Sequence, residues 1–131
     1  MIDSTSDGLA AIGFNPAMSR ALLQPDATGT LQRVLEVNRE TVALHDGATT
    51  TVARMLPWLQ RALAGEDALC TGDWVLTSPD EHGAPWIHQR IAPLNRIVRR
   101  SSTGARQPIV ANVDTALLVV GLDADFNLRR L

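Results

Sequence analysis

The chain has 131 residues, 45% of them hydrophobic and 20% charged, with a net charge of −2. That length suits one domain or one domain with an added piece, and the apolar share is enough for a folded core, which excludes wholesale disorder. All 12 basic residues are arginine, which excludes a lysine Schiff base and also a P-loop, whose lysine must reach the β- and γ-phosphates.

The single cysteine, Cys70, excludes an internal disulfide and a Cys-rich zinc site and fits a reducing compartment. It reads as a buried or idle thiol. The start of the chain carries Asp3 and Asp7 with no early basic residue, unlike a secretory signal. The apolar run Ala116–Val120 is far shorter than the roughly 20 residues that cross a bilayer. The expectation is a cytoplasmic protein with no membrane partner.

Residues 1–28 read as a loose tail, with a short helix over Pro16–Leu23 capped by Asn15 and entered through Pro16. From Gly29 the pattern turns to strands. Leu31–Val37 is the first, Asn38-Arg39-Glu40 a turn, and Thr41–His45 the second. Asp46-Gly47 supplies two positive-φ positions for a tight hairpin into Ala48–Met55. Leu56, Leu59, Ala62 and Leu63 then recur at helical spacing, and the helix ends at Gly65. Trp74–Thr77 and Trp86–Ile91 are the fourth and fifth strands, followed by an extended stretch over Asn95–Arg100.

Three strands, a short helix and two strands within residues 29–100 predict a mainly β protein. The specific expectation is an OB-fold, a five-stranded Greek-key barrel with a short helix between strands 3 and 4. A generic five-stranded sandwich is the alternative. Residues 101–108 (SSTGARQP) read as a linker. In residues 109–131, Thr115–Gly121 reads as a doubly buried strand, and Asp123–Leu131 as a helix start capped near Asp125 or Asn127. Together they predict the incomplete beginning of an α/β domain.

Charge is unevenly placed. Between Glu81 and Asp114 there is no acid, while Arg90, Arg96, Arg99, Arg100 and Arg106 give a local charge of +5. Such a block suits phosphate oxygens, because each guanidinium can fork two N–H bonds to them. On an ideal strand Trp86, His88 and Arg90 share a face, a grouping that suits a stacked base beside its phosphate. Arg39, in the first turn, sits where OB-folds present a binding loop. The plainer alternative makes Trp86 core and the arginines a solvated rim. Arg33, Arg54 and Arg61 read singly as surface charges, and Trp58 and Trp74 as core. His45, His82 and His88 lack ligand spacing, and no nucleophile elbow or G-x-G-x-x-G occurs, so no catalytic, nucleotide-binding or metal residue is expected.

The segment QPIVANVDTALLVVGLDADFNLRRL (residues 107–131) resembles the domain join of the ribosome-small-subunit-dependent GTPase A family, circularly permuted GTPases also called RsgA, YjeQ or EngC. IGFNP (residues 12–16), GDWV (72–75) and IVRR (97–100) are further matches. The resemblance implies an N-terminal OB-fold, a permuted GTPase domain and a C-terminal zinc domain. It implies a monomer that docks on the 30S ribosomal subunit through 16S rRNA late in assembly and hydrolyses GTP there. GTP, Mg and Zn are thus implied for the whole family protein and none for this chain, which reads as an amino-terminal piece. Other readings are an OB-like domain with an intramolecular packing role and an unrelated single-strand nucleic-acid module.

Overall fold

A computed structural model describes residues 3–22, 27–122, 127 and 129. Two helices, α1 (Asp3–Ala11) and α2 (Pro16–Leu22), precede the strands β1 (Thr30–Val37), β2 (Val42–His45) and β3 (Thr50–Met55). Helix α3 (Pro57–Ala62) and a 3₁₀ turn, Gly65–Asp67, lead to β4 (Trp74–Pro79) and β5 (Pro85–Arg90), and β6 (Arg96–Arg100) and β7 (Arg106–Ala111) follow. The first five strands close a barrel in the order β1-β2-β3-β5-β4, and β6-β7 form a separate two-stranded sheet. The fold is an OB-fold.

Closure rests on β1, whose first half pairs with β4 and whose second half pairs with β2, meeting at Arg33. An irregularity between Val34 and Glu36 is the kind of bulge that bends a strand enough to serve two neighbours. The last closure is short and parallel, Arg54 opposite Trp86 and Met55 opposite Ile87. Inside lie Val34, Val42, Leu44, Ala53, Val75 and Ile87, and Leu59 of α3 plugs one end. Trp58 is 54% exposed, not core. One residue along a helix is a turn of about 100°, and α3 gives its inward stripe to Leu56, Leu59 and Leu63.

The described amino-terminal residues pack on the barrel and do not form a loose tail. Met18 joins Trp74, Leu76 and Ile91 in a second core on the outer barrel wall, and Leu9, Ile12, Phe14 and Ala27 pack against that cluster. Phe14 meets Trp74 edge-to-face at 5.4 Å. Asn15 caps α2 as expected, its Oδ1 accepting the Ala17 N–H at 2.9 Å and the Met18 N–H at 3.3 Å. Leu23, the last residue of the expected helix, lies outside the described residues.

The hairpin between β2 and β3 is wider than a two-residue turn. Gly47 alone takes positive φ, 98°. Asp46 works through its side chain, accepting the Ala48 and Thr49 N–H groups, each at 2.8 Å. These bonds to the charged form hold its carboxyl below the usual range. Residues 48–49 thereby belong to the turn, not to the third strand.

Residues 101–108 are not a linker either. Residues 101–105 form the turn of the β6-β7 hairpin, closed by the Ser101 N–H to the Ala105 carbonyl at 2.8 Å, and β7 begins at Arg106. The strand expected over Thr115–Gly121 has no ladder partner among the described residues, and Leu117 and Val119 are 88% and 82% exposed. A strand of that kind forms only beside neighbours that satisfy its backbone. The helix start expected over Asp123–Leu131 falls mostly outside the described residues; Asn127 Oδ1 accepts the Arg129 N–H at 3.0 Å.

Candidate nucleic-acid interface

The expected arginine block divides into two groups. Three members turn inward to the Gly65–Asp67 turn. Arg90 donates to the Asp67 carbonyl at 2.6 Å, and Arg96 donates to the Glu66 and Ala68 carbonyls at 2.9 and 2.8 Å. Arg96 also pairs at 3.4 Å with Asp73, whose side chain is fully buried. Arg106, half exposed, lies 3.9 Å from the Glu66 carboxylate. Arg99 and Arg100 stand exposed on β6, in no salt bridge among the described residues.

The trio expected on β5 divides as well. The β4-β5 ladder slips between the Leu76–Gln89 and Thr77–Ile87 pairs, leaving His88 as the extra residue. Alternation fails beyond it, so Trp86 and His88 line one cleft while Arg90 reaches the Gly65–Asp67 turn.

Trp86 is half-buried and stands between three clefts. The largest, about 590 Å³, is lined by Leu56, Pro57, Pro79, Asp80 and His88. Of the other two, one is lined by Arg54 and the other by Arg39, Glu40 and Arg54, each together with Trp86. Both arginines are exposed, and neither enters a salt bridge among the described residues. The ring is held in place by its Nε1–H, which donates to Asp80 Oδ2 at 3.1 Å. That bond, with backbone N–H groups of Ala84 and His82, keeps the Asp80 carboxyl below its ordinary range.

Trp86 and His88 line one cleft, and Arg39 lines another that Trp86 shares. Arg54 and Asp80 were missed. The signal for Arg54 was the OB-fold order itself, which sets the end of the third strand beside the start of the fifth. For Asp80 the turn sequence DEHGAPW offered no comparable sign.

The IGFNP and GDWV motifs and Asn112 serve the scaffold. Gly13 takes φ 96° beside Arg33, and Gly72 takes φ 89° against the Ala111 carbonyl. Arg33 donates to the carbonyls of Ile12, Gly72 (3.3 Å) and Asn112 (3.0 Å), and its guanidinium lies 5.6 Å from the centre of the Trp74 ring. Asn112 is buried with φ 55°; its amide donates to the Gly72 carbonyl at 2.9 Å and its Oδ1 accepts the Leu94 N–H at 2.9 Å. Its side chain is thus engaged by backbone on both sides, and the sequence holds no lysine.

Cys70 is buried, and its thiol is pushed up to about 11 by burial first and then by the Asp73 carboxylate. Against an ordinary thiol, this leaves about a hundredfold less thiolate at pH 8. Iodoacetamide at pH 8 is expected to modify Cys70 at least that much more slowly in the folded protein than in 6 M guanidinium. Equal rates would mean that the site opens freely.

An OB barrel clasped by amino-terminal helices and a carboxy-proximal hairpin is the class this structure defines. The sequence is 31% identical to a small ribosomal subunit biogenesis GTPase RsgA of Mesorhizobium japonicum over 132 residues, 99% of this chain and 36% of that protein. It is 34% identical to the Xanthomonas oryzae protein of that name over 76% of this chain and 27% of the relative. With the Leptospira interrogans protein, identity is 38% over 53% of the chain and 20% of the relative. No protein-family model matches. The chain belongs to the RsgA family, and it spans about a third of the length of the first of these relatives.

Proposed function

We propose that this chain is the RNA-docking barrel of a small ribosomal subunit biogenesis GTPase. In this reading it acts as a monomer in the cytoplasm and holds 16S rRNA of the 30S subunit. The observation that carries the reading is the convergence of Arg39 and Arg54 on Trp86. Guanidinium groups with no ion partner among the described residues offer N–H bonds to backbone phosphates, and an adjoining indole offers a stacking plane. Arg99 and Arg100 add exposed positive charge on β6. Arg90, Arg96 and Arg106 are left out of the contact set, because the Gly65–Asp67 turn already engages them.

The activity of the whole protein, in this reading, is GTP hydrolysis on the ribosome, with GTP, Mg and Zn bound outside these 131 residues. The exposed apolar residues Leu117–Val120 lead into the first strand of the GTPase sheet, which makes residues beyond Val113 the domain join. No helix among the described residues is long and apolar enough to cross a membrane.

Titration of labelled 30S subunits with the chain tests this. Binding is expected to weaken steeply with salt. Replacing Arg39 and Arg54 together by Ala is expected to lower affinity about tenfold and to reduce the slope of log affinity against log salt by about 2. An unchanged slope would overturn the assignment of these two arginines to phosphate contacts.

A further inference from the structure

The cleft beside Trp86 has more structure than a phosphate-binding surface requires. One wall is the indole, pinned through its Nε1–H to Asp80. The Leu56, Pro57 and Pro79 side of the cleft is apolar, and Ser78, Asp80 and His88 supply hydrogen-bonding groups. His88 also has a buried Nε2 atom with no partner among the described residues. A water-facing surface for a bare sugar–phosphate backbone needs neither an apolar wall nor a fixed aromatic plane.

From these residues we infer that the Trp86–His88 cleft takes one unstacked nucleobase of a single-stranded RNA segment, with Arg39 and Arg54 holding the flanking phosphates. The inference rests on the RNA-docking reading above and adds a ligand class to it. The base slides between the indole face and the Leu56–Pro57 side. Its polar edge meets Ser78, Asp80 or His88, all of which line the cleft. Asp80 Oδ1 accepts the His82 and Ala84 N–H groups at 2.8 and 2.9 Å, so the carboxylate is anchored before any ligand arrives. A cleft of about 590 Å³ lies within the size range of small-molecule sites.

The occupant is a base and not an apolar peptide because of charge. The arginines at Trp86 enter no salt bridge among the described residues, although Glu40 lines the cleft with them. They would flank an apolar side chain without use, whereas a nucleotide brings its own phosphates.

The test uses the full chain and three RNA hexamers of equal charge: oligouridylate, oligoadenylate and an abasic ribose-phosphate strand. At least one base-bearing hexamer is expected to bind about tenfold more tightly than the abasic strand, the scale of a single base–aromatic stack. Trp86→Ala is expected to erase that difference and Trp86→Phe to keep most of it. The wild-type comparison stands even if a variant fails to fold. Equal, salt-sensitive binding of all three strands would overturn the base cleft and leave the RNA-docking reading intact. Absence of binding to any hexamer and to 30S subunits would overturn both, and tight binding of 30S subunits with no hexamer binding would overturn the cleft alone.

Discussion

Arg96→Ala is expected to lower the unfolding free energy by about 3–5 kcal/mol, because it strands a buried charge. Asp73 has no exposed side-chain surface, and Arg96 at 3.4 Å is its ion partner. Asp73 Oδ2 also accepts the Cys70 N–H at 2.9 Å, but Oδ1 has no partner among the described residues. The same substitution frees the Glu66 and Ala68 carbonyls, which Arg96 ties to β6. Urea unfolding measures the loss. Arg99→Ala with Arg100→Ala is the control, expected within about 0.5 kcal/mol of wild type because both are exposed and unpaired among the described residues. Adding Asp73→Asn to Arg96→Ala is expected to restore part of the loss by removing the stranded charge. A loss below about 1 kcal/mol for Arg96→Ala alone would mean that water reaches Asp73.

Gly72→Ala is expected to cost on the order of 3 kcal/mol or more. Its Cβ would lie 2.1 Å from the Ala111 carbonyl oxygen at a φ of +89°, and backbone cannot swing aside as a side chain can. The Gly72 N–H donates to Val34 at 2.8 Å, and its carbonyl accepts from Arg33 and Asn112. Any shift of this residue therefore disturbs barrel, hairpin and amino-terminal helices together. Gly104→Ala isolates the steric part: its φ is +84°, but a Cβ there would meet nothing within 4 Å, so a cost of only about 1 kcal/mol is expected from the backbone conformation. Thermal unfolding of both variants decides the matter, and similar losses would argue against the close packing at Gly72.

The barrel could be read from the sequence because its signals are local. Strand periodicity, the Leu56–Leu63 stripe and the Asn15 cap depend on neighbours within a few residues. The hairpin of β6 and β7 was misread because SSTGARQP has the composition of a linker, and a tight turn uses the same residues. The second core was missed because α1 and α2 are short and weakly patterned; their place is set by Phe14 and Met18 meeting Trp74 and its neighbours across the fold. At the candidate interface, residue type was informative and direction was not. Five arginines in an acid-free stretch look alike in sequence, yet the ladder slip at His88 and the carboxylate of Asp73 turn Arg90 and Arg96 into scaffold.

Arg33 gives the two ends of the chain a common fate. A shortened protein beginning at Gly29 would keep every barrel strand, yet it would strip the Ile12 carbonyl and the Phe14 ring from the stack that also holds Asn112. Trimming by a protease near residue 14 would by the same route loosen the exit toward Val113, some hundred positions downstream, so injury before the barrel would be felt after it.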